Sequence, residues 1–340
     1  MSSRAKRTGL MLWPMPGLDA GFERGVWAEQ AGYDDVWLCD AEGLQDPITM
    51  GAALGVATKS IRLCTGIVPV FNRPPPLLAT AVLAAEEHAR GRFVLGLGSS
   101  TGNMIKRWYG LDYEKPLSRV RESVALLRDI FAGNKTNFGG KTIHSHGFTL
   151  KGTPSAPIPI YLAALGPKMM QLAGEVADGV VLNDFTPPDK LTEALEQIDL
   201  GAKRAGRRIE DLEIVKRRAF LVGDDEQDGL DFFRRYTAVY ASAPAYQNKM
   251  IELGYEKEIT GVKAGYEARD RSAVNAAISD ELVDRIYAYG NESRCKRILQ
   301  HDFDAGIDTV IVSPQARDSG EFARAAETFM SKNVSKAAEN

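Results

Sequence analysis

The sequence is poor in the residues that usually announce a catalytic or metal centre. Among 340 residues there are four histidines and three cysteines. His88 and His301 fall in helical stretches, and His144 and His146 sit in a short segment flanked by glycine, so no nucleophile has a histidine partner that spacing can identify. His144 and His146 alternate onto one side of a strand but lack a third ligand, which leaves a solvated hairpin as the better reading than a metal site. Cys39, Cys64 and Cys295 are far apart and form no CxxC, a pattern expected of reduced thiols in a cytoplasmic protein. Cys39 and Cys64 lie inside apolar runs and read as small core residues. No apolar run is long enough to span a bilayer, and the start MSSRAKRT-GLMLW imitates a signal peptide only until Pro14, Pro16 and Gly17 interrupt it. Basic charge is not in excess either. The formal net charge of -3 argues against nucleic acid or an anionic membrane surface as the main partner.

What is present is an ordinary globular composition, with 44% hydrophobic residues and 32 glycines, in a clear order of elements. The segment Pro157 to Asn183, PIPIYLAALGPKMMQLAGEVADGVVLN, spells a unit of strand, turn, helix and strand. Ile158 to Ala164 is a nearly continuous apolar run suited to a strand buried on both faces. Gly166-Pro167 stops it, and Pro167 suits the first helical position, where its missing N–H costs nothing. Met169, Leu172, Ala173, Val176 and Ala177 then recur at helical spacing until Asp178-Gly179. Free N–H groups at that helix start, with Lys168 beside them, suit a phosphate; a solvated lysine at an ordinary helix start fits the same residues equally well.

The rest of the chain repeats this alternation. Strands are expected at Thr8 to Trp13, Val36 to Cys39, Ile61 to Ile67, Arg92 to Gly98, Leu212 to Val222 and Thr309 to Ser313. Helices are expected at Ala20 to Ala31, Pro47 to Thr58, Pro74 to Ala89, Ser118 to Phe131, Leu191 to Ala205, Glu292 to Ala305 with Asn291 as N-cap, and Ser319 to Met330. A loop through Ser99 to Asn103 precedes the helix at Ser118. A hairpin excursion near 137–151 is positioned to cover a site if it lies on the strand-end side, the charged and tyrosine-rich stretch near 224–290 reads as a helical insertion, and 331–340 reads as a flexible tail.

About eight parallel strands separated by helices, with no Gly-rich dinucleotide turn after the first, predict an α/β fold: one (β/α)₈ TIM barrel over 1–330 with insertions at the C-terminal strand ends. In that fold the site lies at those ends. They carry Trp13-Pro14, Asp40-Ala41-Glu42, Thr65-Gly66-Ile67, Gly98-Ser99-Ser100, Ala163-Ala164-Leu165-Gly166, Asn183-Asp184 and Ser313-Pro314. GLGSSTG, with Gly96, Gly98 and Gly102, is not GxGxxG and says little alone. A site built from small residues without reactive groups of its own points to a cofactor that brings the chemistry.

TGIVPVFNRPPPLLA (Thr65 to Ala79), GRFVLGLGSS (Gly91 to Ser100) and above all ALGPKM followed by ADGVVLN resemble the bacterial luciferase-like flavin and deazaflavin oxidoreductases, within them the coenzyme F420-dependent branch that includes methylenetetrahydromethanopterin reductase. The resemblance covers Thr8 to Asn183 and the last strand. It implies a homodimeric TIM-barrel enzyme acting on a small-molecule substrate, with coenzyme F420, or alternatively FMN, lying across the strand ends. It implies a non-prolyl cis peptide at Gly66-Ile67, an acid of the site at Asp40, and a phosphate-binding turn at Gly166-Pro167-Lys168. The implied cofactor contacts are Asp40, Thr65, Gly66, Ile67, Gly98, Ser99, Ser100, Asn103, Ala163, Ala164, Gly166, Pro167, Lys168 and Met169. Where many relatives carry a histidine after that acid, this chain has Ala41, so a proton donor would be Glu42 beside Asp40, the substrate or water. The expected activity is hydride transfer by the deazaflavin. The alternatives are an FMN-dependent monooxygenase and a deazaflavin-binding protein without turnover.

Overall fold

The computed structural model describes residues 4–13, 18–40, 43, 45–316 and 318–330. Eight parallel strands form its centre: β1 Arg7–Leu12, β2 Asp35–Leu38, β3 Arg62–Thr65, β4 Phe93–Gly98, β5 Ile160–Ala163, β6 Gly179–Leu182, β7 Glu213–Val222 and β8 Thr309–Pro314. Each pairs with the next in sequence, and β8 pairs with β1 through Thr309↔Arg7 and Val310↔Thr8, which closes the sheet into the (β/α)₈ barrel that the alternation predicts. The surrounding helices are α1 Leu18–Ala31, α2 Pro47–Ala57, α3 Pro75–Ala89, α4 Pro116–Phe131, α5 Pro167–Val176, α6 Leu191–Arg204, α7 Glu292–Asp304 and α8 Ser319–Thr328. Local chemistry sets their starts. Asp46 caps α2 by accepting from the N–H groups of Ile48 and Thr49, Asn291 caps α7 through Arg294 N–H, and proline occupies the first turn of α2, α3, α4 and α5.

Period-two alternation divides the strand residues between two cores. Met11, Trp37, Cys64, Val94, Tyr161, Val181, Val215 and Ile311 fill the barrel, while the intervening residues pack under the helices. Two large rings, Trp37 and Tyr161, lie with centroids 6.3 Å apart in this interior. Their bulk demands absent side chains opposite: a Cβ on Gly9 would lie 2.6 Å from Trp37 Nε1, and one on Gly179 2.8 Å from the Tyr161 ring. Below them, at the N-terminal strand ends, Arg62 bonds the carboxylates of both Asp35 and Glu213 and closes the barrel floor.

Three segments differ from the sequence expectation. The loop after β4 contains a helix, Gly102–Trp108, whose cap Thr101 accepts from Met104 N–H; at seven residues it is too short to show a period. The hairpin Asn137–Gly139 with His144–His146 forms, but it binds the outside of α4: Glu122 accepts from the N–H groups of Lys141, Thr142 and Ile143, and Arg119 donates to Thr142 O. It therefore contributes no wall to the cavity described below. The stretch after β7 holds five helices between Glu226 and Ile286 around a separate core that includes Phe233, Met250, Leu282 and Tyr287. It ends in a strand, Ala288–Gly290, that joins the sheet beside β7 through Phe220↔Ala288, where a helical reading alone was expected. The tail at 331–340 lies outside the described residues.

Among the described residues no helix is long and apolar enough to cross a membrane, and no group of three or more His, Cys, Asp or Glu side chains could hold a metal ion. Among the described residues Cys39, Cys64 and Cys295 form no disulfide.

Candidate active site

The small residues at the C-terminal strand ends leave a cavity of about 340 Å³, within the range of small-molecule sites. Its two sides differ in chemistry. One is almost free of side chains and is made by Gly66, Ile67, Gly98, Ser99, Ser100, Ala163, Ala164 and Gly166. A Cβ at Gly98 would come within 2.6 Å of Ile67 Cδ1, so a larger residue there would displace the wall. Thr65 does not line the cavity; its buried hydroxyl accepts from Gly96 N–H at 2.8 Å and donates to Gly96 O at 2.9 Å, pinning β3 to β4 beneath that wall. The Gly66-Ile67 peptide is cis, as the resemblance implies. Tyr113, its ring tilted against Phe71 with centroids 4.8 Å apart, donates to Ser100 O and fixes the loop at the rim.

At the edge of this wall α5 begins. Gly166 O accepts the N–H groups of both Met169 and Met170, whereas no partner stands opposite Lys168 N–H among the described residues. Gly166 and Met169 line the cavity. Pro167 and the Lys168 side chain do not: both are exposed, and Lys168 lies instead in a neighbouring groove with Arg121 and Arg204. Asn103 is likewise exposed, on the helix Gly102–Trp108, and does not line the cavity.

The other side is polar and aromatic; sequence reasoning places Asn183 at the strand ends but does not assign Arg217 or Tyr246 to the site. It brings together Asn183 after β6, Arg217 in β7 and Tyr246 from the insertion helix Pro244–Glu252. Arg217 forms an ion pair with the fully buried Asp184, whose other oxygen accepts from Ala219 N–H at 2.7 Å. Burial alone would lower the guanidinium's pKa, but Asp184 reverses this and holds it well above the ordinary value. The same guanidinium donates to Tyr240 OH at 3.2 Å and lies 5.7 Å from the Trp13 ring. Asn183 Nδ2 donates to Tyr246 OH at 3.4 Å. Burial and the neighbouring Tyr240 push the Tyr246 phenol above its ordinary range, so it keeps its proton at neutral pH.

Asp40 is placed outside the cavity lining. Arg73 bonds it at 2.5 Å and reaches Asp46, the α2 cap, at 2.7 Å, so one guanidinium ties the loop after β2 to the helix that follows. Burial raises the Asp40 carboxyl above its ordinary value against the pull of Arg73. Glu42 and Ala41 lie outside the described residues. The signal that could have found Arg217 was its spacing from Glu213 and Val215, which places all three on the inner face of β7; Tyr246 carries no such signal.

The chain's sequence and its barrel fold resemble those of known proteins. Over 287 residues, 84% of this chain and 86% of the relative, the sequence is 29% identical to the methylenetetrahydromethanopterin reductase of Methanolobus tindarius. It is 26% identical, covering 78% and 82% of the two chains, to the F420-dependent glucose-6-phosphate dehydrogenase of Gordonia bronchialis. The fold matches the coenzyme F420-dependent tetrahydromethanopterin reductase of Methanopyrus kandleri with a TM-score of 0.83, over 98% of this chain and 99% of that one, at 19% identity. Residues 6–309 match the sequence profile of the luciferase-like monooxygenases, and the chain therefore belongs to that family and is an oxidoreductase.

Proposed function

We propose that this oxidoreductase uses coenzyme F420 and transfers hydride between it and a small organic substrate. The observation that carries the reading is one cavity lined both by Gly66, Gly98 and Ala163, whose small side chains leave room for a ring, and by Arg217, Asn183 and Tyr246, which suit a polar substrate. The F420 dependence of relatives supports the choice of cofactor. When bound, the deazaflavin would supply two-electron hydride chemistry, with a carbon at position 5 that leaves its reduced form nearly inert to oxygen.

The chain's own residues then divide the work. The glycines and alanines would admit the ring and, with Ile67 beside them, exclude water from one face of it. The open N–H of Lys168 and the positive end of the α5 dipole would hold the phosphate. Arg217, its charge balanced by Asp184, offers hydrogen bonds to a substrate oxygen, and Tyr246 holds a proton beside it. Asp40 acts by positioning the loop after β2 through Arg73.

Titration of the protein with coenzyme F420 and with FMN, followed by absorbance, together with an oxygen electrode during turnover, tests the reading. Tighter binding of F420 and no substrate-dependent oxygen uptake are expected. Tighter binding of FMN, or oxygen consumption, would replace the reading with an FMN-dependent monooxygenase.

A further inference from the structure

Lys168 sits between two residues that line the cavity, Gly166 and Met169, yet its side chain enters a separate groove of about 250 Å³ between α4 and α5. The groove has Leu117, Ser118 and Gln171 in its walls and three cations along it: Lys168, Arg121 and Arg204. A single carboxylate, Glu175, faces them. Arg121 pairs with one of its oxygens and Arg204 approaches the other at 3.6 Å, while both arginine side chains remain half exposed, at 49% and 58%. Arg204 also donates to Gln171 at 2.9 Å, which fixes its head over the groove. In a chain of net charge -3 this is a local surplus of positive charge, and it begins at the helix start where the phosphate of the cofactor is proposed to end.

We propose that this groove holds the acidic oligoglutamyl tail of coenzyme F420, an inference that rests on the F420 reading above. Beyond its phosphate that coenzyme continues into a chain of carboxylates, whereas FMN stops. A carboxylate leaving the cavity past Gly166 meets Lys168 first and then the two arginines, which share one carboxylate and retain donors for others. Glu175 competes with the tail for the same cations.

The test uses the full-length protein and three ligands: F420 with a long oligoglutamyl tail, the same deazaflavin ending at its phospholactyl group, and FMN. At low salt the long-tailed form should bind about tenfold more tightly than the tail-less one, the effect of two or three exposed charge contacts. The preference should vanish at about 0.5 M salt, where the screening length falls to a few ångström, and in Arg121→Gln/Arg204→Gln, whose affinity for the tail-less form should be unchanged. Glu175→Gln should act oppositely and enlarge the preference; it decides the question if the double variant fails to fold. Equal affinity of the wild type for both deazaflavins, or an undiminished preference in the double variant, would overturn the groove assignment and leave the cofactor reading standing. Tighter binding of FMN than of either deazaflavin would overturn both.

Discussion

Replacing Arg62 by methionine probes the barrel floor, because this one side chain pairs with two carboxylates. Its Nε and Nη2 bond Asp35 at 2.6 and 2.7 Å, and its Nη1 and Nη2 bond Glu213 at 2.9 and 2.8 Å. Asp35 would keep Arg7 at 3.2 Å, but Glu213 would keep only the hydroxyls of Tyr161 and Thr309, both at 2.6 Å. Burial alone would raise the Glu213 carboxyl; the hydrogen bond and charge of Arg62, helped by those hydroxyls, bring it down from 4.5 to about 2. That fall corresponds to about 3 kcal/mol of stability at neutral pH, and breaking a buried pair costs about 3–5 kcal/mol in general. Because the folded value is depressed, the contribution is present above about pH 4.5 and lost as the pH falls toward 2. Without Arg62 the sign inverts: the buried Glu213 carboxyl moves above its ordinary value, and protonation relieves the variant. Urea denaturation followed by tryptophan fluorescence, at pH 7 and pH 5, should show a loss of about 3–5 kcal/mol at pH 7 that narrows at pH 5. A loss below about 1 kcal/mol, the scale of a solvated pair, or a wild-type pH dependence in the variant, would refute the reasoning.

Gly98→Val places a branched side chain where a Cβ alone would be 2.6 Å from Ile67 Cδ1, so deazaflavin affinity should fall at least tenfold, about 1.4 kcal/mol, in an absorbance titration. Unchanged affinity would remove the glycine wall from the cofactor site. Arg217→Met should cost about 3–5 kcal/mol by leaving Asp184 buried and unpaired, while Arg217→Met/Asp184→Asn should regain most of the loss without regaining substrate turnover. A double variant no more stable than the single one would mean that Asp184 is not the destabilising group.

The barrel was legible because its signals are local. Pro167 at a helix start, Asn291 as a cap and the apolar runs of β5 and β6 each work through residues within a turn or two, and the described structure has all of them. What escaped was either too short or too distant. The helix Gly102–Trp108 and the strand Ala288–Gly290 span too few residues to show a period. The position of the hairpin depends on Glu122, which meets Lys141, Thr142 and Ile143 about 20 residues further along the chain.

The same distinction explains why half of the candidate site was readable. The small wall is encoded largely by absence, since glycine, alanine and serine dominate where β3, β4 and β5 end, and such runs are visible in any sequence. The polar wall is encoded by pairing. β7 carries charge on both faces: Glu213 and Arg217 point into the barrel, while Lys216 and Arg218 point out toward Asp302 on α7. Period-two spacing groups Arg217 with Glu213 and Val215, but it cannot say whether that face or the face of Lys216 and Arg218 turns into the barrel. Each charge is tolerated only because a carboxylate far along the chain meets it, Asp184 for Arg217 and Asp302 for Lys216 and Arg218, and no spacing rule connects them. Tyr246 is more remote still, since it reaches the cavity only because Tyr240 and Tyr246 of the insertion pack against each other and against Phe185, which follows β6. The part of the site proposed to admit a cofactor is therefore local in sequence, and the part that would choose a substrate depends on tertiary pairing. An exchange of the insertion between members of the family should alter substrate choice before it alters the cofactor bound.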